Sequence, residues 1–174
     1  MKIYILGPVG SGKSTLAKKI SCALNIKYYE LDSIVWKKTT TGDVKRTSED
    51  RDKLFKKIME RKNWIIEDVG RSCFKGALAQ ADIIIYINLK RYVLYWRIFE
   101  RWIRQKFKIE PAPYKCNFRM LVQMYNWANN DIKKRKLDKL LVYKNKLLVL
   151  NSKEIKKFEN STYIVDFFKF MWLC

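Results

Sequence analysis

The sequence has no histidine, and its four cysteines are scattered without a CxxC pair. Histidine base chemistry is therefore excluded, and a structural zinc site is disfavoured because such sites use closely spaced cysteine and histidine ligands. Long hydrophobic runs are also missing, since residues 83–87 and similar stretches fall far short of the ~18 residues of a membrane span. The start lacks the small-residue cleavage site of a signal peptide. These absences predict a cytoplasmic protein without a membrane partner.

Acidic residues are scarce, because 17 Asp and Glu stand against 37 Lys and Arg and give a formal net charge of +20. A field of this sign attracts polyanions such as nucleic acids and phosphorylated metabolites. No helix-turn-helix or RNA-binding signature accompanies the charge. It therefore predicts nonspecific nucleic-acid binding or, more simply, a surface solvated by lysine.

Glycine is scarce as well, yet three of the six glycines fall in the stretch GPVGSGKST, residues 7–15. The stretch fits the pattern G-x-x-x-x-G-K-[ST] between a predicted strand and a predicted helix, where a phosphate-binding loop is expected. Glycines let several backbone N–H groups converge on one anion at the helix N-terminus. We expect Lys13 to reach the β- and γ-phosphates of ATP and the Ser14 hydroxyl to bind Mg²⁺. The predicted nucleotide-binding residues are Gly7, Pro8, Val9, Gly10, Ser11, Gly12, Lys13, Ser14 and Thr15.

Strands alternate with helices along the chain, and 174 residues fit one domain. This alternation predicts an α/β fold, a doubly wound parallel sheet with helices on both faces. We expect strands at 2–6, 26–31, 64–66, 82–89 and 146–150, with a helix from residue 14, another capped by Thr47, a third over 91–107 and a fourth from 118. A loop after the second strand carries Asp32 and Trp36, and Ser152 is expected to cap a short closing helix. The apolar tail from residue 161 is expected to pack on the body or to form a contact surface.

Two acidic residues, Glu67 and Asp68, end the buried strand in the stretch IIEDVGR. A phosphate-binding loop needs a second acid near the metal, at the end of a neighbouring strand. Either carboxylate could hold Mg²⁺ directly or through water, and Glu67 is preferred. The alternative is an acidic pair that only caps the strand end.

The helix over residues 91–107 separates aromatic from basic side chains. The guanidiniums of Arg97, Arg101 and Arg104 share a stripe that suits the charge of a transferring phosphoryl group, although a solvated basic face is the alternative. The roughly opposite face carries Tyr92, Trp96, Phe99 and Ile103. A further basic run, residues 133–136, either closes over phosphates or forms a solvated helix end.

The sequence resembles the adenylate-kinase-like group of small P-loop kinases, and within it the DNA topology modulation protein (FlaR-related) family. The resemblance covers residues 1–158 and rests on GPVGSGKST, LDSIVW, WIIEDVGRS, the strand DIIIYINL with its arginine helix, and KLLVLNS. It implies a nucleoside-monophosphate-kinase-like fold in which residues 1–174 form one domain with a helical lid at about 97–136.

The resemblance also implies roles for individual side chains. Arg71 would hold the acceptor's phosphate, as in the adenylate kinases, although IIEDVGR departs from their pattern at residues 68–70. Arg97 and Arg101 would lie near the adenine and the transferred phosphate. In shikimate-kinase-like relatives an acid after the second strand holds the acceptor hydroxyl, which would be the role of Asp32; the alternative for Asp32 is a helix cap or turn residue. Trp36 either stacks on an acceptor ring or is buried.

Together these features predict an Mg²⁺-dependent phosphotransferase that moves the γ-phosphoryl group of ATP to a small acceptor: a nucleoside, a nucleotide or another hydroxyl metabolite. The predicted catalytic residues are Lys13, Asp32, Arg97 and Arg101. Two alternatives remain open, an ATP-dependent regulator associated with DNA topology and a P-loop protein that binds ATP without transferring phosphate.

Overall fold

The computed structural model describes residues 1–39, 42–112, 114, 116–133 and 136–173. Its strands are β1 (Lys2–Leu6), β2 (Tyr28–Glu30), β3 (Trp36–Thr39), β4 (Gly42–Lys45), β5 (Trp64–Asp68), β6 (Ile83–Ile87) and β7 (Leu147–Leu150). Its helices are α1 (Lys13–Leu24), α2 (Leu31–Val35), α3 (Ser48–Met59), α4 (Lys75–Gln80), α5 (Arg91–Lys106), α6 (Phe118–Lys133), α7 (Lys136–Leu140), α8 (Ser152–Lys157) and α9 (Ser161–Leu173). Short 3₁₀ segments lie at Ser72–Phe74 and Leu141–Lys146.

Five strands form one parallel sheet in the order β2-β5-β1-β6-β7, which confirms the predicted α/β fold. In this order β2 lies to one side of β1, whereas β7 lies to the opposite side of β6. The order therefore reverses between β1 and β6. Ligands of open α/β sheets bind outside the carboxyl ends of the strands at such a switch point.

Side chains of the central strands alternate between two hydrophobic cores because successive residues of a strand point to opposite faces. Ile3 and Ile5 of β1 belong to a core that includes residues of α1 and α9. Tyr4 and Leu6 belong to the opposite core, which includes residues of α2, α3, α4 and α7. Both faces of the sheet are thus covered, as the apolar sequence of β6 predicts.

Helices α5 and α6 pack on each other through a third cluster, with Ile98 and Trp102 on α5 and Met124 on α6. The aromatic face that the sequence predicts on α5 is not this packed face. Tyr92 and Trp96 are 68% and 66% exposed. The packed residues lie on a neighbouring stripe of the helix because α5 rests against α6 and the phosphate loop.

The segment after β2 differs from the prediction. The second strand ends at Glu30, and the following residues form α2, so that Asp32 lies on a helix instead of in a loop. Arg46 holds this helix end by donating from Nη1 to the carbonyl oxygens of Ser33 and Ile34 at 2.8 and 3.1 Å. The polar stretch that follows forms the antiparallel hairpin of β3 and β4.

The structure tests the two helix caps that the sequence predicts, Thr47 and Ser152. The Thr47 side chain accepts a hydrogen bond from the Asp50 amide at 3.2 Å, so the cap of α3 is confirmed. The predicted cap of α8 by Ser152 is wrong. Asn151 caps this helix in a capping box with Glu154, because its side chain accepts from the backbone while Glu154 accepts in return.

The apolar tail forms α9, which packs against α1. Ile164 and Phe168 are fully buried in the core on that side of the sheet. The tail therefore packs on the body, while Phe170 and Met171 remain exposed. In the part of the chain that the structure describes, no helix is long and apolar enough to cross a bilayer.

Candidate active site

The phosphate loop, residues 7–15, joins the carboxyl end of β1 to α1. Gly10 and Gly12 have φ values of 79° and 92°, in the left-handed region that favours glycine. Gly12 is the N-cap of α1 and offers no side chain to that helix. The first amides of α1 are thus open to an anion, which the partial positive charge of the helix end also favours.

The loop is packed too closely for larger residues at two of its glycines. A Cβ at Gly7 would lie 2.7 Å from Ser11 Oγ, and one at Gly10 would lie 2.8 Å from Cγ1 of Ile98 on α5. Ser11 Oγ is buried and has no hydrogen-bond partner among the described residues. A cradle of amides with an unpartnered hydroxyl fits a phosphate group.

Lys13, Ser14 and Glu67 come together because the loop faces the end of β5, the strand beside β1. The Ser14 hydroxyl donates to Glu67 Oε2 at 3.0 Å. The Lys13 ammonium donates to the Pro8 carbonyl at 3.0 Å and lies 3.9 Å from Glu67 Oε1. Desolvation lowers the pKa of Lys13 and raises that of Glu67, and their attraction opposes both shifts.

The oxygen donors of Ser14 and Glu67 fit Mg²⁺, which prefers hard oxygen ligands and uses one or two carboxylates together with substrate phosphates. Among the described residues no cluster of three or more acidic or cysteine side chains forms a complete metal cage.

Asp68, the other predicted metal residue, already has four donors. Its Oδ2 accepts from the Tyr4 hydroxyl at 3.2 Å and from the amides of Gly70 and Arg71 at 2.8 and 2.7 Å. Its Oδ1 accepts from Arg71 Nη1 at 2.6 Å. A carboxylate offers about four lone-pair sites. Three of these four donors share Oδ2, and Glu67 is the acid that contacts the phosphate loop instead, through Ser14.

Arg71 bridges two carboxylates. One terminal nitrogen binds Asp68, and the other donates to Oδ1 of Asp32 on α2. The three side chains meet because β2 pairs with β5 in parallel, with Glu30 opposite Glu67, so that their carboxyl ends coincide. Burial by itself would lower the pKa of Arg71, but Asp32 and Asp68 outweigh it and raise that pKa.

The arginines predicted on α5 have different partners. Arg97 Nη1 donates to the Ser11 carbonyl at 2.9 Å, which places this guanidinium on the phosphate loop. Arg101 lies 3.6 Å from Glu110, and Arg104 pairs with Glu100 on its own helix. The structure thus brings Arg97 to the site and leaves Arg101 and Arg104 in exposed ion pairs.

The remaining predicted side chains lie at the edges of the site. Trp36 begins β3 and is 40% exposed, so the buried alternative is wrong. In the basic run 133–136, Lys134 and Arg135 lie outside the described residues. Pro8 borders a cleft of about 240 Å³ whose polar lining includes Asn88, Arg91 and Asp138.

Two residues at the site were missed by the sequence analysis. Tyr4 offered a signal, because a hydroxyl in a buried strand needs a partner, and that partner is Asp68. Arg46 offered none, since it lies in a lysine-rich polar stretch and its contacts with α2 depend on the fold.

A curated protein is similar to part of this chain in sequence. Shikimate kinase from Blochmanniella floridana is 24% identical over 100 residues, a match that covers 50% of this chain and 54% of that protein, so the chain spans about half the length of this curated relative. No protein-family model matches the chain.

Two solved structures extend the likeness over the whole chain. Shikimate kinase from Bacteroides thetaiotaomicron has a TM-score of 0.61 and 16% identity, with 98% of each chain covered. Deoxyadenosine kinase from M. mycoides, solved with bound dATP, has a TM-score of 0.57 and 16% identity, with 100% of each chain covered. At this identity the likeness concerns the fold, and it leaves the resemblance to the FlaR-related family a prediction. The chain has the α/β fold of the small P-loop kinases.

Proposed function

We propose that this protein is a P-loop kinase that transfers the γ-phosphoryl group of ATP to a hydroxyl group of a small acceptor. The observation that carries the proposal is the convergence of Lys13, Ser14 and Glu67 beside the glycine loop. These are the groups that cradle phosphates and hold Mg²⁺ in P-loop proteins. The similarity in fold to small-molecule kinases supports the same reaction class.

The nucleotide would lie along residues 7–15, where backbone amides and Lys13 hold the β- and γ-phosphates. Ser14 and Glu67 would hold Mg²⁺, which supplies neutralisation of charge on the phosphate oxygens. Arg97 already contacts the loop at Ser11 and is placed to stabilise the same charge.

The acceptor would lie between Asp32 and the phosphate loop. Asp32 accepts the hydroxyl proton while the hydroxyl oxygen forms a bond to the γ-phosphorus. The bond between that phosphorus and the bridging oxygen breaks, and ADP leaves with the electron pair. The proton then passes from Asp32 to solvent. The side chain of Asp32 is 60% exposed, which leaves room for an acceptor to approach it.

Residues 1–174 would act as one domain in which the segment at about 97–136 serves as a lid. The α5–α6 pair contains most of this segment and touches the phosphate loop at Val9 and Gly10. Closure would exclude water from the phosphoryl group and bring Arg101 towards it.

The test is transfer of labelled γ-phosphate from ATP in the presence of Mg²⁺ to pools of nucleosides, nucleoside monophosphates and other hydroxyl metabolites. We expect a labelled product that disappears in Lys13→Ala. The matched control is Lys18→Ala, since Lys18 is an exposed lysine on the same helix. The proposal fails if ATP binds but no pool yields a product.

A further inference from the structure

The guanidinium of Arg71 forms an ion pair with Asp32, the proposed proton acceptor, and both of its terminal nitrogens are bound. Nη1 donates to Asp68 at 2.6 Å, and Nη2 donates to Asp32. The Asp68 side chain is fully buried, and that of Arg71 is 27% exposed. Asp68 therefore holds Arg71 firmly and fixes the direction of its second nitrogen.

The charges of this group do not balance. The Asp32–Arg71–Asp68 network contains two carboxylates and one guanidinium, which gives it a net charge of −1. Glu30, opposite Glu67 in the neighbouring strand, adds a further negative charge, whereas the charge of Glu67 is offset by Lys13 at 3.9 Å. Arg46, a guanidinium that also contacts α2, is directed at the backbone carbonyls of Ser33 and Ile34.

An anionic acceptor would meet this excess negative charge. To bind the Nη2 donor that now holds Asp32, it would have to displace that carboxylate, which would then repel it at close range. An uncharged hydroxyl compound has no such conflict. Such a compound needs only a group that takes up its hydroxyl proton. Asp32 Oδ2 is available for this, because it has no hydrogen bond within the described part of the chain.

We propose that the acceptor is an uncharged hydroxyl compound, such as a nucleoside or a polyol, and that the Asp32–Arg71–Asp68 network discriminates against phosphorylated or carboxylated acceptors. The inference rests on the proposed kinase function and narrows it. It departs from the adenylate-kinase resemblance, in which Arg71 would bind an acceptor phosphate. The same network repels the phosphorylated product and so favours its release.

The first test compares kcat/KM for matched pairs of acceptors with ATP and Mg²⁺, namely adenosine against adenosine monophosphate and glycerol against glycerate. We expect the uncharged member of the productive pair to be favoured by tenfold or more, the factor that about 1.4 kcal/mol produces. Preference for the anionic member would overturn this inference and leave the kinase function intact. Absence of transfer to all four compounds and to the wider pools would overturn both.

The second test asks whether Asp32 is the group that excludes the anion. Asp32→Asn removes its charge and frees one side of Arg71, so binding of adenosine monophosphate, measured by calorimetry, should tighten about fivefold or more. Asp43→Asn is the matched control, since it makes the same charge change on the exposed hairpin strand β4. Equal affinities of the two variants for the monophosphate would overturn the assignment. Thermal unfolding of both variants monitors the fold.

Discussion

Two adjacent carboxylates at the end of β5 face different partners. Glu67 points towards the phosphate loop and accepts from Ser14, whereas Asp68 points towards Tyr4 and Arg71. The pleat of the strand is the reason, because successive side chains leave opposite faces. Of the two acids, Glu67 is therefore the one that is hydrogen-bonded to the phosphate loop. The other orders the following turn, in which Gly70 has a φ of 87°.

Tyr4 should contribute to stability through its hydrogen bond to Asp68. Burial and the neighbouring carboxylate raise the pKa of Tyr4, so its hydroxyl remains a donor at all ordinary pH values. Tyr4→Phe removes one donor from a buried carboxylate and should lower the free energy of unfolding by about 1–3 kcal/mol. Urea unfolding measures the change. We also expect a higher KM for the acceptor, since Asp68 positions Arg71, with KM for ATP unchanged.

Tyr29→Phe is the control for this prediction. The hydroxyl of Tyr29 is buried without a hydrogen-bond partner among the described residues. Its removal should therefore leave the free energy of unfolding unchanged or raise it slightly. A loss at Tyr29 as large as that at Tyr4 would show that the hydrogen bond to Asp68 contributes nothing specific.

At the scale of elements, the phosphate loop and α5 are in close contact. Gly10 allows the close approach of Ile98, and Arg97 donates to the Ser11 carbonyl. Arg101 lies one turn further along α5 and is 46% exposed in its pair with Glu110. An exposed pair of this kind contributes less than about 1 kcal/mol. Arg101 can thus leave Glu110 at little cost when a nucleotide binds.

This arrangement leads to a prediction about the arginines of α5. Arg101→Ala should lower kcat about 100-fold, the typical loss when a group that stabilises the transition state is removed. Arg104→Ala is the matched control, because Arg104 is on the same helix and pairs with Glu100. The kcat of Arg104→Ala should stay within about twofold of the wild-type kcat. The free energy of unfolding of both variants should lie within about 0.5 kcal/mol of the wild-type value. Similar kcat values for both variants would remove Arg101 from the proposed mechanism.

At the scale of the whole molecule, the net charge of +20 contrasts with the acidic residues at the carboxyl ends of β2 and β5. A positive field raises the encounter rate with ATP and attracts nucleic acids without reading their sequence. The charge therefore acts on association, while the choice of acceptor depends on the local network around Arg71.

Binding to duplex DNA should accordingly behave as a nonspecific polyelectrolyte interaction. We expect the affinity to fall by about 10³-fold or more between 50 and 200 mM salt if six or more phosphates are contacted. Fluorescence anisotropy with labelled duplexes measures this, with and without ATP. ATP should change the affinity little at constant free Mg²⁺, and Lys13→Ala should bind DNA like the wild type. A strong effect of ATP that Lys13→Ala abolishes would support the DNA-associated alternative.

Much of the fold could be predicted from local sequence. The phosphate loop of residues 7–15 and the strand at residues 64–66 were predicted because a motif and an apolar run are properties of consecutive residues. The packed face of α5 could not be predicted from periodicity, since Tyr92 and Leu94 both lie on plausible apolar stripes. Tertiary packing selected the stripe that contains Leu94, which lies in the core with β1 and α1, and Ile98, which lies in the cluster with α6.

The sequence by itself determined that a phosphate loop stands between a strand and a helix, and that buried strands build a parallel sheet. The tertiary structure alone decided the partners of the charged groups. Arg71 lies 39 residues from Asp32, and Tyr4 lies 64 residues from Asp68. No local pattern encodes such pairs, because they depend on which strands become neighbours and on which face each side chain leaves the sheet.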